Sequence, residues 1–173
     1  PNQYGGFEAF IEKLTDGAVW PHDRYFFKIL GETSYFSNSN RENVPIGLSK
    51  DEAPIRYYLR SYLLARASAD LILCCGVGIS IFTALSKMGG PPIILNPDGC
   101  EWRRSKWSPL GRLAIKFMTY VAIFFAKVIV LDSEALRADF FKTKNKSNKK
   151  QIRVIAYPAE KQREKMELPA TRF

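Results

Sequence analysis

Residues 71–95, LILCCGVGISIFTALSKMGGPPIIL, decide the fold that this chain is expected to adopt. The continuous apolar run from Leu71 to Cys75 is typical of a strand that is buried on both faces of a sheet. Gly76-Val77-Gly78 then turns the chain into a helix from Ile79 to Met88. A second apolar run, Pro92 to Leu95, completes a strand–helix–strand unit, whose two strands should be parallel and joined by a right-handed crossover.

Similar patterns on either side extend this unit into one α/β domain. Helices are predicted at Ile55–Ala69, Pro109–Ala126 and Ala135–Phe141, strands at Tyr25–Leu30, Val128–Leu131 and Ile152–Ile155, and an exposed polar loop at Ser34–Asn43. The sequence therefore predicts a Rossmann-like parallel sheet with helices on both faces. We expect this domain to span residues 1–160, and residues 161–173 to be a linker or a truncated tail.

Composition and charge limit the class of protein. The hydrophobic share is 46% and the charged share 25%, which excludes a disordered chain. The formal net charge of +9 predicts anionic partners: phosphate groups, an acidic membrane face or nucleic acid. The three cysteines lack zinc-binding spacing, and Cys74 and Cys75 fit small buried hydrophobic residues. A reducing cytoplasm is the expected location.

A dense polar and aromatic cluster follows the second strand directly. Asn96-Pro97-Asp98-Gly99 predicts a turn, and ligands of parallel sheets bind where strands end. The candidate site residues are Asp98 and Glu101 for acid–base chemistry, Trp102 and Trp107 for stacking on a sugar ring, and Arg103, Arg104 and Lys106 for binding phosphate. The alternative interpretation is a solvated helix start, with both tryptophans packed against the domain.

A glycine pair near the amino end offers a weaker signal. Gly5-Gly6 precedes an amphipathic run from Phe7 to Leu14, and free backbone N–H groups at a helix start can cradle phosphate. Most glycine pairs, however, are only turns. We expect a further strand before Pro1, since a turn with nothing before it is an unusual domain edge.

The same strand–turn–helix unit admits a second interpretation. Gly76-x-Gly78 follows a strand, and Asp98 lies at about the spacing of a ribose-binding carboxylate. The third glycine of that fingerprint is replaced by Ile81, and Asp98 follows a proline turn. An oxidoreductase domain that binds a dinucleotide is therefore the less favoured alternative.

The helix from Pro109 to Ala126 is apolar enough to raise the question of a membrane span. Arg112, Lys116 and Lys127 interrupt it, and no unbroken apolar run reaches the ~20 residues that a span requires. We expect a helix packed in the domain with a basic edge. Contact with an anionic membrane surface stays open.

Four groups of residues carry a resemblance to a known family. They are Tyr4-Gly5-Gly6-Phe7-Glu8-x-Phe10, Asn96-x-Asp98-Gly99-x-Glu101-Trp102-x-Arg104-x-Lys106-Trp107, Asp132-Ser133-Glu134-Ala135 and Ile155-x-Tyr157-x-Ala159-Glu160. In this order they resemble the N-terminal half of a bacterial family 4 glycosyltransferase, of the rhamnosyltransferase-like group that builds capsule and cell-wall polysaccharide. The tryptophan-rich group is the specific part.

The resemblance implies a GT-B architecture, in which two Rossmann-like domains face a cleft and this chain is the acceptor-side domain. It implies transfer of a rhamnose-like sugar or another hexose from a nucleoside-diphosphate sugar to a saccharide acceptor, expected to be lipid-linked. The location implied is the cytoplasm, at the inner face of the plasma membrane. No metal ion or other cofactor is expected, and the sequence contains no Asp-x-Asp metal motif.

The resemblance also assigns roles to individual residues. Gly5 and Gly6 would approach the donor diphosphate, and Asp98 would lie near the acceptor hydroxyl. We infer from charge alone, and not from the resemblance, that Arg103, which lies outside the matched positions, Arg104 and Lys106 would then meet a phosphate of the acceptor.

The sequence departs from the family pattern in several places. The opening strand and the donor-binding domain are not in it, Pro158 stands where a hinge glycine is usual, and Pro97 stands where a β-branched residue is commoner. We therefore expect the chain by itself to be inactive in sugar transfer.

A hypothesis from another class is a non-catalytic basic module that binds anionic lipid or nucleic acid. Its binding should weaken steeply with salt and should ignore nucleotide sugars. A module that binds anions by positive charge alone would not need carboxylates beside the segment from Trp102 to Trp107. Their presence favours the glycosyltransferase, and nucleic acid is not the expected partner.

Overall fold

The structure is a computed structural model, which describes residues 7, 10, 11, 14, 15, 24–31, 41–141 and 151–155. The strands are β1 (Phe27–Gly31), β2 (Arg41–Pro45), β3 (Ile72–Cys75), β4 (Ile93–Asn96), β5 (Val128–Leu131) and β6 (Gln151–Val154). The helices are α1 (Pro54–Ser68), α2 (Ser80–Thr83), α3 (Pro109–Phe125) and α4 (Glu134–Phe140), with 3-10 turns at Ala84–Met88 and Glu101–Arg103. The isolated residues Phe7, Phe10, Ile11 and Leu14 are helical, as their spacing predicts.

The described strands form two parallel sheets. The larger has the order β3-β4-β5-β6, and the smaller pairs β1 with β2. Leu30 of β1 packs against the core of the larger sheet, so the two sheets share one apolar interior. The predicted α/β class and the Rossmann-like parallel sheet are confirmed. Because β3 to β6 are all parallel, the loops after these strands meet at one edge.

The core forms where the apolar strand runs meet the apolar sides of the helices. Ile93 and Leu95 of β4 and Ile129 and Leu131 of β5 are fully buried, or nearly so. Burial of each such side chain stabilises the fold by roughly 1.5–3 kcal/mol. Tyr62 and Ala65 of α1, Ala122 and Ile123 of α3, and Phe140 of α4 complete the buried cluster.

The strand β2 corrects one sequence-based expectation. The exposed loop predicted for Ser34–Asn43 is wrong for its last three residues, because Arg41, Glu42 and Asn43 pair with β1. Arg41 is buried, and its Nη1 donates a hydrogen bond of 3.2 Å to Thr15 Oγ1. A polar strand that is held by such contacts lacks the apolar alternation by which strands are recognised.

The helix predicted for Ile79–Met88 is also altered. Only Ser80–Thr83 is α-helical, and the chain continues as a 3-10 turn until Gly89, whose φ is +86°. A left-handed residue at this position ends a helical segment, and glycine adopts it without strain.

Two further observations concern the limits of the described chain. No helix among the described residues combines the length and apolar character needed to cross a bilayer. The expected boundary at residues 160 and 161 lies outside the described residues, as do Gly5 and Gly6.

Candidate functional site

Three loops meet at the carboxyl edge of the larger sheet. They follow β3 at Gly76, β4 at Pro97 and β5 at Asp132. The backbone N–H of Gly76 donates to the carbonyl of Asn96 at 2.7 Å, which joins the first two loops. This edge is where parallel α/β sheets bind ligands.

The loop after β4 holds Asp98 in an unusual conformation. The buried Asn96 accepts a hydrogen bond of 3.0 Å from the Asp98 backbone N–H to its Oδ1, which closes an Asx turn. The φ of Asp98 is +66°, in the left-handed region that non-glycine residues adopt at a cost of about 1–2 kcal/mol. The residue as a whole is exposed, although its carboxylate is partly desolvated. A solvent-accessible carboxylate on a strained backbone marks this loop as a candidate site.

The surroundings of Asp98 change its acidity. Desolvation is the main cause that raises its pKa above the ordinary value, and the negative charges of Glu101 and Asp132 add to it. The nearby Arg104 acts in the opposite direction without cancelling the shift. A carboxylate with a raised pKa is a better proton acceptor, because its protonated form is less costly.

Asp132 is a member of this site that the sequence analysis missed. In the sequence, Asp132 enters only as part of the segment Asp132-Ser133-Glu134-Ala135 that carries the resemblance. In the structure Ser133 caps α4 by accepting from the Leu136 N–H at 3.4 Å. Asp132 itself has a buried Oδ1 with no hydrogen-bond partner among the described residues. Its position directly after β5, beside the strand that carries Asp98, is the signal that would have identified it.

Glu101 organises the cations of the cluster. Its carboxylate accepts from Arg104 at 3.0 Å, from Lys106 at 2.8 Å and from the indole N–H of Trp107 at 3.2 Å. Partial burial alone would raise its pKa, but hydrogen bonds from Lys106 and Trp107 and the charges of Lys106 and Arg104 lower it overall. The geometry therefore suits Glu101 to positioning its neighbours better than to accepting a proton.

The two tryptophans of the cluster differ in their surroundings. Trp102 packs on the core, with its ring centroid 5.5 Å from that of Phe140 and 6.1 Å from that of Tyr120. Trp107 is 36% exposed, and Lys106 Nζ lies 4.8 Å from its ring centroid. This arrangement favours a packing role for Trp102 and leaves Trp107 as the residue that can stack on a sugar ring.

Each of the three predicted phosphate-binding cations has a carboxylate partner. Arg103 makes two hydrogen bonds to Asp139 on α4, of 2.7 and 2.9 Å, whereas Arg104 and Lys106 both bind Glu101. Ion pairs of such exposed side chains contribute only about 0–1 kcal/mol. A bound phosphate can therefore compete for Arg104, whose charge acts on Asp98, and for Lys106.

The glycine turn after β3 does not suit a dinucleotide. Gly76 has a φ of +88°, which glycine alone adopts readily. A Cβ atom on Gly78 would clash with the ring of Tyr58. The second glycine of a dinucleotide fingerprint must let the pyrophosphate approach the backbone. Here the tyrosine ring covers that backbone, which disfavours the oxidoreductase alternative.

The structure thus brings Asp98, Glu101, Arg104, Lys106 and Trp107 together, with Asp132 added. Trp102 and Arg103 are directed toward α3 and α4. Within the described ranges, no group of three or more His, Cys, Asp or Glu side chains is arranged to hold a metal ion.

A family model matches more than half of the chain. Residues 66–160 match the model of a domain of unknown function, DUF1972, a range that contains β3 to β6 and the whole cluster from Asp98 to Trp107. This domain is associated with glycosyltransferase-like proteins. No curated protein matches the chain.

Proposed function

The chain belongs to the DUF1972 family, which is associated with glycosyltransferase-like proteins, and from this premise we propose that it is the acceptor-side domain of a glycosyltransferase. The donor is a nucleoside-diphosphate sugar, with rhamnose or another hexose as the transferred group. The acceptor is a lipid-linked saccharide of capsule or cell-wall biosynthesis. Within this proposal the whole enzyme is of the family 4, rhamnosyltransferase-like type and has a GT-B fold.

The observation that carries the proposal is the setting of Asp98. This residue is accessible to solvent at the carboxyl edge of the sheet, in a strained turn, and partial desolvation of its carboxylate raises the pKa. An acceptor hydroxyl needs a nearby group that takes its proton as it becomes a nucleophile. Asp98 is the carboxylate of the cluster that is best suited to this task, since Glu101 is occupied by three donors.

The reaction follows from this placement. The acceptor sugar stacks on Trp107, which leaves one hydroxyl beside Asp98. As the hydroxyl oxygen bonds to the anomeric carbon of the donor sugar, its proton passes to Asp98. The bond between that carbon and the diphosphate breaks, and the nucleoside diphosphate leaves with the bonding electrons.

Two neighbouring groups support this chemistry. Asp132 places negative charge near Asp98, which favours the protonated form that the reaction produces. Arg104 and Lys106 offer exposed cations to a phosphate of the lipid-linked acceptor.

Sugar transfer by a protein in which this domain is joined to a donor-binding domain tests the proposal. Release of nucleoside diphosphate is measured with UDP-, GDP- and dTDP-sugars and an extract of lipid-linked saccharides. Asp98→Asn should lower the transfer rate by about 10²–10⁴-fold, because the amide cannot accept the proton. Ile55→Gln, an exposed change on α1, is the matched control that should leave the rate unaltered. A near-normal rate for Asp98→Asn would remove Asp98 from the role of base.

A further inference from the structure

The outward face of α3 is an unusually large exposed apolar surface. Four large side chains of this helix, Leu110, Leu113, Phe117 and Phe124, are between 65% and 78% exposed. They recur every three, four or seven residues, which places them in one stripe along the helix. Tyr120, also exposed, lies between Phe117 and Phe124 on the same stripe. We call these five residues the α3 face.

The opposite side of α3 is buried in the core, which keeps the α3 face on the outside of the domain. Thr119 and Ala122 are fully buried and Ile123 nearly so, in contact with the core. The helix therefore cannot turn its apolar stripe inward without breaking the core. Contiguous apolar surface of this kind marks a protein or membrane interaction site.

The charge around the α3 face indicates which partner it fits. The chain contains no Asp or Glu from Trp102 through Leu131, a segment that contains all of α3. Arg112 and Lys116, one helical turn apart, and Lys127, just beyond the helix end, are exposed along its flank. Neither Lys116 nor Lys127 forms an ion pair with any described residue. An apolar stripe on a helix whose charged residues are all basic complements an anionic lipid surface.

We propose that α3 docks this domain on an anionic membrane, with the helix lying in the plane of the surface. The α3 face enters the region between headgroups and acyl chains, and Arg112, Lys116 and Lys127 bind lipid phosphates. A second copy of the chain fits less well, because a symmetric contact through this face would bring two basic borders together. The proposal stands on the exposure and charge of α3 and does not depend on sugar transfer.

Sedimentation with lipid vesicles tests this docking. The chain is mixed with vesicles of phosphatidylcholine alone, or of phosphatidylcholine with about 30% phosphatidylglycerol, at low and high salt. We expect binding to the anionic vesicles, weakened by salt, and little binding to the neutral ones. Equal binding to both vesicle types, or binding to neither, would overturn the proposal.

Matched variants locate the docking surface. Phe117→Gln should weaken binding to anionic vesicles by about tenfold, because an apolar side chain no longer leaves water. Lys116→Gln combined with Lys127→Gln should weaken the same binding and reduce its salt dependence. Ile55→Gln, which removes an equally exposed apolar side chain from α1, should change nothing.

Folding and self-association are checked with the same proteins. All substituted side chains are exposed, so circular dichroism and the urea unfolding midpoint should match those of the parent chain. A concentration-dependent dimer without lipid that Phe117→Gln dissociates would overturn the lipid assignment and make the α3 face an interface between copies.

Discussion

Asp98 combines an unusual backbone conformation with a raised carboxyl pKa. Its backbone is left-handed, and the Asx turn made by Asn96 holds the loop after β4 in this conformation. Glu101, three residues later, has the opposite environment, since cations and an indole N–H surround it. At the residue scale, therefore, the two carboxylates divide into a proton acceptor and an organiser of cations.

The raised pKa of Asp98 predicts how stability should depend on pH. The folded chain binds this proton more tightly than the unfolded chain does, so the contribution of Asp98 is greatest below the ordinary carboxyl pKa of about 4. That contribution is lost as the pH rises through the folded-state pKa. Urea unfolding of Asp98→Asn should therefore show a gain in stability relative to the parent chain as the pH rises over this window. Asparagine suits the control because it tolerates the left-handed conformation.

For Glu101→Gln we expect a change of stability with pH that is opposite in sign to that of Asp98→Asn. Because the folded-state pKa of Glu101 is lowered, its carboxylate stabilises the fold above the unfolded pKa, and this contribution is lost as the pH falls through the folded value. The glutamine variant should thus lose stability relative to the parent chain as the pH rises. If both variants show the same pH dependence, the assignment of distinct electrostatic environments is wrong.

At the residue scale the sequence identified the right segment but not the contacts within it. Trp102 and Trp107 look equivalent in sequence, yet Trp102 packs on Tyr120 and Phe140 whereas Trp107 binds Glu101. Asp132 enters the site only because β5 lies beside β4. The contacts of Trp102 and the approach of Asp132 to Asp98 join residues that are distant in the chain, so they depend on strand order and packing that local patterns do not report.

At the scale of elements, α3 links the candidate site to the surface proposed for membrane docking. Its first residue, Pro109, lies two residues after Trp107 at the end of the cluster, and Trp102 of the cluster packs against Tyr120 on its side. The helix begins at Pro109, and the Ser108 side chain accepts a hydrogen bond of 3.2 Å from the Gly111 N–H. This cap satisfies a backbone donor that has no partner within the helix.

Removal of the cap should destabilise the chain measurably. Ser108→Ala should lower the free energy of unfolding in urea by about 1 kcal/mol, because the Gly111 N–H loses its acceptor. Ser105→Ala is the matched control, since Ser105 is exposed in the same turn, and it should change stability by less than about 0.5 kcal/mol. Equal effects of the two substitutions would show that Ser108 does not act as a cap.

Elements with a strong apolar pattern were predictable, and those without one were not. The strand at Val128–Leu131 and the helix at Pro109–Ala126 agree with the structure to within one residue. The strand β2 was missed because Arg41, Glu42 and Asn43 are polar and are held by pairing with β1. Its stability comes from tertiary contacts, which local propensity does not report.

At the scale of the molecule, strand order explains why the site lies where it does. The parallel order β3-β4-β5-β6 places Gly76, Asp98 and Asp132 after neighbouring strands at one edge. The α3 face and the Asp98 loop belong to consecutive segments of the chain. If both proposals hold, the site works close to a membrane surface, where a lipid-linked acceptor resides.

The most direct measurement of the central claim is a titration of the chain with saccharides, followed by nitrogen-15 NMR of the tryptophan indole N–H groups. The probes are methyl rhamnoside, methyl glucoside and disaccharides that end in these sugars, and Trp107→Phe assigns the signal. We predict a saturable shift of the Trp107 signal, and binding about tenfold weaker for Trp107→Ala, from which the stacking platform is missing. A Trp107 signal that stays fixed up to the highest concentration of every saccharide would contradict the assignment of this cluster to a sugar acceptor.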